Sequence, residues 1–509
     1  METTLTAART LIGGASPVAA PIVPALCLVW SRAEPGRVGE VCLLGATAGE
    51  GPIVVGRAGG RRDLPRAEWV QQRPGRNFNS GPLAAPRISR DQFLVERLHD
   101  DRQAITNLGK LPLSVRGQPP RGREEVRVGD LFELEGEALF LVITRPIVLP
   151  PGEASVGDAA LHPFGEADRD GIVGESPAAY ELRDHVAFVA ARSVHVLIRG
   201  ESGTGKELIA QAVHRRSDRR DRAIVARNAA TIPEALVDAE LFGHAKNFPN
   251  PGMPERAGLI GEADGSTLFL DEFAELPPAL QAHLLRVMDQ GEYQRLGESR
   301  ARRSNFRLIA ATNRPESALK HDVLARLQIR IELPGLDERR EDVPLIARQI
   351  LRRIAARDPD LARRFFVGGD PRGLPNLTPA LVAALITHPY ATHVRELESL
   401  LWRAMTRARA AVLDLTDELP ASWSIAPPRP PTPVVAAPAS EGDDAAAAEV
   451  GGIDPMSIPA EVIQACLDRH EGRQEPVWRE LGLSSRHVLT RLVRKHGLNV
   501  RGRGSGSGG

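Results

Sequence analysis

Three cysteines in 509 residues, Cys27, Cys42 and Cys466, are too few and too scattered for a disulfide framework or a metal-ligand set. A reducing cytoplasm is the compartment this implies. Long apolar runs are missing as well. No stretch reaches the roughly eighteen residues that span a bilayer, so no membrane partner is expected. The apolar run Pro21 to Trp30 is short, broken by two prolines and without a basic leader, and it reads as a core strand or a loose N-terminus. Net charge is absent too: 65 Lys plus Arg balance 65 Asp plus Glu. A whole-chain field for nucleic acid is thereby excluded, and any basic patch must be local.

What remains is a globular composition, 42% apolar and 26% charged, on a chain long enough for several cores. Short strand-like runs such as VCLLGA, PIVVGR, FLVERL and ALFLVIT, separated by Gly, Pro and Asp, predict an all-β sandwich over 35–147. Residues 148–171 are poor in periodicity and read as a linker. From 172 to 337 helices alternate with the buried runs VHVLIRG, TLFLDEF and FRLIAAT, which predicts a parallel sheet covered by helices. Helical patterns over 338–415 predict an all-α lid. A Pro/Ala-rich tether is expected at 416–457, three short helices at 458–499 and a disordered tail at 500–509. The fold class is thus multidomain: a β-sandwich, an α/β ATPase unit with a helical lid, and a C-terminal three-helix unit.

The chemistry is densest at GESGTGKE, which comprises Gly200, Glu201, Ser202, Gly203, Thr204, Gly205, Lys206 and Glu207. It follows the strand VHVLIR and opens the helix KELIAQAVHRR, the context a phosphate-binding loop requires. Glycines let amides point at phosphates, the helix N-terminus adds its positive dipole end, and Lys206 reaches the β/γ oxygens. ATP and Mg2+ are the cofactors expected. Four apolar residues in TLFLDE deliver Asp271 and Glu272 to a strand end. Asp271 would hold the metal, directly or through water, and Glu272 would orient or deprotonate the attacking water.

Five strings in order, GESGTGKE, AELFGHAK, ADGSTLFLDEFAEL, ATNRP and VRELE, resemble the AAA+ ATPase of bacterial sigma-54 transcription activators over roughly 172 to 411. The resemblance implies that Asn228 couples nucleotide state to the catalytic glutamate, that Asn313 reads the γ-phosphate, and that Arg395 senses nucleotide from the lid. Glu207 stands where other phosphate loops have Ser or Thr, as it does in this family. The resemblance also implies a hexameric ring in which two arginines act on the neighbouring subunit's nucleotide. Those positions are here Lys320 and Arg326. Such an arginine is worth roughly 10³ to 10⁵ in rate, and lysine lacks its planar fork, so reduced turnover is expected.

One departure concerns output. The family places a Gly-Ala-Phe-Thr-Gly-Ala loop after GHxK to touch the sigma-54 factor, whereas Asn247 to Gly252 here reads NFPNPG. Its two prolines fix φ and remove donors. The loop therefore either grips a different partner or no longer remodels sigma-54.

Outside the ATPase, Gly56 and Arg57, the string ISR at Ile88 to Arg90, and Asn107 resemble a forkhead-associated domain, a sandwich whose loops bind phosphothreonine. The resemblance implies that Arg57, Ser89 and Arg90 take the phosphate of a threonine-phosphorylated protein while Asn107 holds the peptide backbone. Gln92 replaces a usual structural histidine, and an Arg-rich insert of about thirty residues lies between Arg57 and Ser89. Arg73 and Arg76 in that insert either join the site or are solvated, and a plain dimerisation sandwich is the alternative. The C-terminal segment resembles a helix-turn-helix of the factor-for-inversion type. It implies DNA contacts from Ser484, Ser485, Arg486, His487, Arg491, Arg494 and Lys495. The function expected is a cytoplasmic, DNA-binding, ring-forming ATPase that regulates transcription under phosphothreonine control. The alternative is a nucleotide-gated scaffold.

Overall fold

Among the described residues eleven strands build the N-terminal region, and the first begins before the expected boundary at 35. The computed structural model describes residues 20–45, 51–61, 63–98, 102–119, 122–152, 162–416 and 460–470, with 419, 477, 489 and 493 as single positions. The strands are β1 Ile22–Ser31, β2 Val41–Leu43, β3 Ile53–Val55, β4 Trp69–Arg73, β5 Arg76–Gly81, β6 Phe93–Arg97, β7 Gln103–Asn107, β8 Leu113–Val115, β9 Arg123–Val126, β10 Leu131–Leu134 and β11 Ala138–Pro146. Seven of them form one sheet in the order β5-β4-β2-β1-β11-β10-β8, and four form a second in the order β3-β6-β7-β9. β1 pairs antiparallel with β11 from Ile22 opposite Pro146 to Ser31 opposite Ala138, which places the apolar run Pro21 to Trp30 at the centre of the sandwich.

Strand alternation gives β1 and β11 two jobs. Leu26, Leu28, Phe140 and Val142 face the second sheet and pack with Trp69, Phe93 and Phe132. Ala25, Cys27, Val29, Leu139, Leu141 and Ile143 face the other way and share a core with the helical lid.

The ATPase sheet is wholly parallel. It consists of β12 Val196–Arg199, β13 Val225–Asn228, β14 Thr267–Asp271, β17 Arg307–Thr312 and β18 Ile329–Glu332, in the order β13-β14-β17-β12-β18. β15 Glu292–Tyr293 and β16 Arg302–Arg303 make a separate ribbon. Helices α1 Pro177–Ala190, α2 Lys206–Arg215, α3 Val237–Phe242, α4 Gly258–Glu262, α5 Pro278–Gln290 and α6 His321–Arg326 belong to this unit. The lid has α7 Val343–Ala355, α8 Pro359–Phe365, α9 Pro379–Thr387 and α10 His393–Arg407.

Where described, the expected linker is packed rather than loose. Gly165 O accepts from the Arg348 guanidinium, Glu166 pairs with Arg352, and Asp168 takes Arg183 Nε at 3.1 Å and the Ile172 amide at 2.9 Å. Its acidic residues satisfy arginines of the lid and of α1 and backbone amides of the segment itself and of Ile172, which composition does not reveal.

The chain divides into two units at Pro428 and Arg429. In the second unit, α11 Ala460–Arg469 buries Ile463, Cys466 and Leu467, and Val477 and Leu489 are also buried. Ser484, Ser485, Arg486, His487, Arg491, Arg494 and Lys495 lie outside the described residues. No described helix is long and apolar enough to cross a membrane.

Candidate functional site

The order of the ATPase sheet sets β12, β17 and β14 side by side, so their C-terminal ends bring the phosphate loop, Asn313 and Asp271 to one edge. Gly200 N donates to Thr312 O at 3.3 Å, tying the loop to the end of β17. Gly205 precedes α2 at φ 101°, in the left-handed region that glycine adopts freely. Thr204 Oγ1 donates to Glu201 O at 2.9 Å. Lys206 is buried, and its ammonium donates to Gly200 O at 3.0 Å and Glu201 O at 3.2 Å. Two neutral carbonyls are weak partners for a cation, and phosphate oxygens at the same mouth would replace them with charge-assisted bonds.

β13 and β14 run in register with Asn228 opposite Asp271. Asp271 is half-buried and its Oδ1 accepts from Glu272 N at 3.0 Å, while Glu272 itself turns at φ 49°. A carboxylate at a strand end beside the phosphate loop suits a hard oxygen-ligated cation such as Mg2+. Asn228 Oδ1 accepts from Ala230 N at 2.9 Å, which fixes its side chain at the end of β13. Asn313 is exposed at the end of β17. Arg395 reaches the phosphate loop from the lid, its Nη1 lying 3.3 Å from Ser202 Oγ. Lys320 and Arg326 bound α6. Arg326 is ion-paired with Asp289, and the Lys320 side chain is exposed.

The NFPNPG segment folds on itself. Asn247 N donates to Met253 O at 2.9 Å, Gly252 N donates to Asn247 Oδ1 at 2.9 Å, and Met253 N donates to Asn250 O at 3.3 Å. Asn247 sits at φ 65°, which asparagine tolerates better than most residues. Phe248 leans over Gly297, where an added Cβ would lie 2.5 Å from its ring.

At the loop end of the sandwich, Gln92 is fully buried and ties three loop segments together. Its Oε1 accepts from Ser89 N at 3.0 Å, and its Nε2 donates to Asn107 Oδ1 and Leu111 O, both at 2.9 Å. Asn107 Nδ2 donates to Leu111 O at 3.1 Å. Ser89 Oγ accepts from Lys110 N at 3.1 Å and keeps its own proton. Arg57 N donates to Ser89 O at 3.1 Å, and Gly56 is so close to the Ser89–Arg90 backbone that a Cβ would meet Arg90 O at 2.2 Å. Arg57, Ser89, Arg90 and Asn107 thus meet despite the long insert. Lys110 and Arg66 join them, the latter donating to Arg57 O at 3.1 Å and Arg90 O at 2.7 Å. Lys110 was within reach of sequence reasoning, three residues after Asn107.

Arg73 takes neither of the two roles considered for it. It is buried at the junction with the ATPase, donating to Tyr180 Oη at 2.7 Å and His162 O at 2.8 Å. Arg76 is exposed, and its guanidinium lies 4.5 Å from the Phe78 ring centre. Beside Arg73, burial alone would raise the Glu175 carboxyl, but bonds from His162, Arg73, Tyr180 and the Gly165 amide hold it below the ordinary value. Arg145, 1% exposed, crosses from β11 to Glu341 Oε1 at 3.5 Å and Glu175 O at 3.3 Å.

Residues 172–333 match the family described as the sigma-54 interaction domain. The transcriptional regulatory protein ZraR of Salmonella typhimurium is 36% identical over 340 residues, 65% of this chain and 70% of that protein. The Nif-specific regulatory protein of Klebsiella oxytoca is 32% identical over 461 residues, covering 84% and 83% respectively. Among solved structures, NtrX from Brucella abortus in complex with ADP is 26% identical over 64% of this chain and 70% of that one, with a TM-score of 0.43. The chain belongs to the sigma-54-dependent transcriptional activators, DNA-binding and ATP-binding AAA+ regulators whose sigma-54 interaction domain is an ATP-hydrolysing module.

Proposed function

We propose that this activator is controlled by a threonine-phosphorylated protein, which docks on the loop end of its forkhead-associated-type sandwich. The observation that carries this reading is the Gln92 cluster, which brings the Arg57 backbone, the Ser89 hydroxyl and the Asn107 carboxamide together at one loop end, with the Arg66 guanidinium beside them. Arg57 Nε is buried there without a partner, a condition that a phosphate oxygen would relieve. Ser89 still has its proton to donate, and Asn107 has a second N–H for a peptide carbonyl. Docking would act on hydrolysis because the sandwich shares its core with the lid.

Asp271 would hold Mg2+, which supplies charge neutralisation on the β- and γ-phosphates. Glu272 would take the proton of the attacking water, and Lys206, Asn313 and Arg395 would hold the triphosphate in place. Lys320 and Arg326 would serve a neighbouring subunit's nucleotide in a homo-oligomeric ring. The C-terminal unit would bind DNA through a helix-turn-helix.

Retention on a phosphothreonine peptide library, against the unphosphorylated library, tests the control site. Wild-type protein should be retained by the phosphorylated library alone, and Ser89→Ala with Arg57→Ala should lose that retention. Equal retention by both libraries would reject phosphothreonine recognition. In parallel, Glu272→Gln should lower ATP turnover by roughly 10² to 10⁴ while leaving ATP binding intact. An unchanged transcriptional output in that variant would favour the scaffold alternative.

A second reading concerns the output loop. The bonds that Asn247 makes across NFPNPG keep that loop compact, and this supports a changed sigma-54 contact. Restoring Gly-Ala-Phe-Thr-Gly-Ala at Asn247 to Gly252 should increase capture of sigma-54 factor in the presence of a transition-state nucleotide analogue. Capture by the native loop equal to that of the restored one would reject the change.

A further inference from the structure

His393 opens α10 at φ 41°, one of four non-glycine residues with positive φ among those described. That backbone is disfavoured for a side chain of this size, and it persists only where surrounding contacts impose it. Both ring nitrogens are engaged. Leu336 N donates to Nδ1 at 3.2 Å, so the proton belongs on Nε2, which lies 3.0 Å from Glu201 Oε2. The imidazole is 2% exposed, whereas the Glu201 side chain is 74% exposed. Asp337 Oδ1 stands 3.7 Å from Nδ1 on the other side.

The backbone around His393 sits directly on the phosphate loop. Val394 N donates to Gly203 O at 3.1 Å, and a Cβ on Gly203 would lie 2.2 Å from Thr392 O. Two residues beyond His393, Arg395 meets Ser202. On the opposite side, a Cβ on Gly335 would come within 2.6 Å of the imidazole Cε1. The ring therefore has a fixed place and a fixed direction.

Glu201 is an anion inside a loop whose amides and helix dipole attract anions. Left unheld, its mobile carboxylate can turn over the loop mouth and repel the triphosphate it should admit. We propose that His393 is a positioning residue for ATP binding: it draws the Glu201 carboxylate to the lid side, so docking of the lid's Arg395 turn and clearance of the phosphate path are one event. The lid then contributes to affinity by removing a repulsion as well as by supplying a cation.

The test uses the full chain and titrations with MgATP and MgADP. His393→Asn tolerates the left-handed backbone but is too short to reach Glu201, so it removes the hold with little added strain. It should weaken both nucleotides about tenfold, the factor that one charge-assisted hydrogen bond commands. Glu201→Gln in the same background removes the repelling charge and should restore affinity to within about threefold of wild type. Suppression of one loss by a second substitution is a readout that a purely structural histidine does not give. The proposal is overturned if His393→Asn binds nucleotide normally, or if Glu201→Gln leaves its weakened binding unchanged. Should His393→Asn melt early, His393→Gln, whose amide mimics Nε2–H, must bind more tightly than His393→Ala, and equal binding by those two rejects the role.

Discussion

On β1, Leu26 and Leu28 pack into the sandwich, while Ala25, Cys27 and Val29, alternating with them, pack against the ATPase lid. The first face is an ordinary domain core. Trp69, Phe93, Phe132 and Phe140 form an aromatic cluster in it, with ring centres 5.0 to 5.8 Å apart. The second face uses smaller residues on the sheet side and is rimmed by charge: Arg145, Glu341, Asp342, Glu175 and Arg73. Interfaces between domains are commonly small and polar, which leaves the domains free to move. This one has an apolar centre continuous with the lid's own core. The difference teaches that the lid docks on the sheet through an apolar face of its own, separate from the sandwich core, with the polar rim fixing their register.

The sharpest way to break that comparison is to cut adjacent residues of β11 that face opposite ways. Phe140→Ala should cost about 3–5 kcal/mol, and Leu141→Ala about 2–5 kcal/mol. Calorimetry should show the first variant lowering the melting of the sandwich. The second should part the lid from the sheet and alter nucleotide affinity at temperatures where both are folded. Identical effects of the two on nucleotide binding would mean that the faces are not separate.

Arg145→Met addresses the rim. Removing one partner of a buried pair leaves the other uncompensated, and contacts of 3.3 and 3.5 Å put the cost near the low end of the usual range, about 3 kcal/mol. The loss should depend on pH. Burial holds the Glu341 carboxyl above its ordinary value, with Arg145 opposing. A carboxyl raised in the folded state favours folding fully below its unfolded pKa, and that contribution fades as pH rises through the folded value. Without Arg145 the folded value rises further and the fade runs on to higher pH, so chemical denaturation should find the variant more damaged at pH 8 than at pH 5. A pH-independent loss would assign Arg145 to packing alone.

How much of this was legible in sequence follows from what each residue depends on. The phosphate loop and the Asp271–Glu272 pair announce themselves because their chemistry is carried by local spacing. The start of the sandwich was misplaced because Pro21 and Pro24 resemble strand breakers, yet β1 begins at Ile22 and continues through Pro24. A signal was present nonetheless. ALFLVIT and the middle of β1 run apolar without alternation, and in an antiparallel sandwich that means burial on both faces. What covered the second face was not readable, since the lid lies some two hundred residues further on. Arg73 and Glu166 were opaque for the same reason: their partners, Tyr180 and His162 for the first and Arg352 for the second, are distant in sequence. Gln92 was legible as a departure but not as a substitute, because its role needs three loops to converge.

The smallest perturbation comes from the cysteines, which probe the two faces without altering them. Cys27 faces the lid and Cys42 faces the sandwich core, at 0% and 1% exposure. Burial pushes the Cys27 thiol up, with Arg145 opposing, and pushes Cys42 up to about 12, with Glu68 adding to the rise. Neither is a nucleophile at neutral pH in the closed molecule, so alkylation must wait for opening. Cys27 becomes reactive when the lid leaves the sheet, whereas Cys42 waits for the sandwich itself to open. Mass spectrometry after timed alkylation should find Cys27 labelled first, and Leu141→Ala should speed Cys27 at least about tenfold, the factor that 1.4 kcal/mol commands. Cys42 should keep its wild-type rate in that variant. Equal labelling of both thiols, accelerated together, would show that sandwich and lid open only as one cooperative unit, which merges the two faces into a single core.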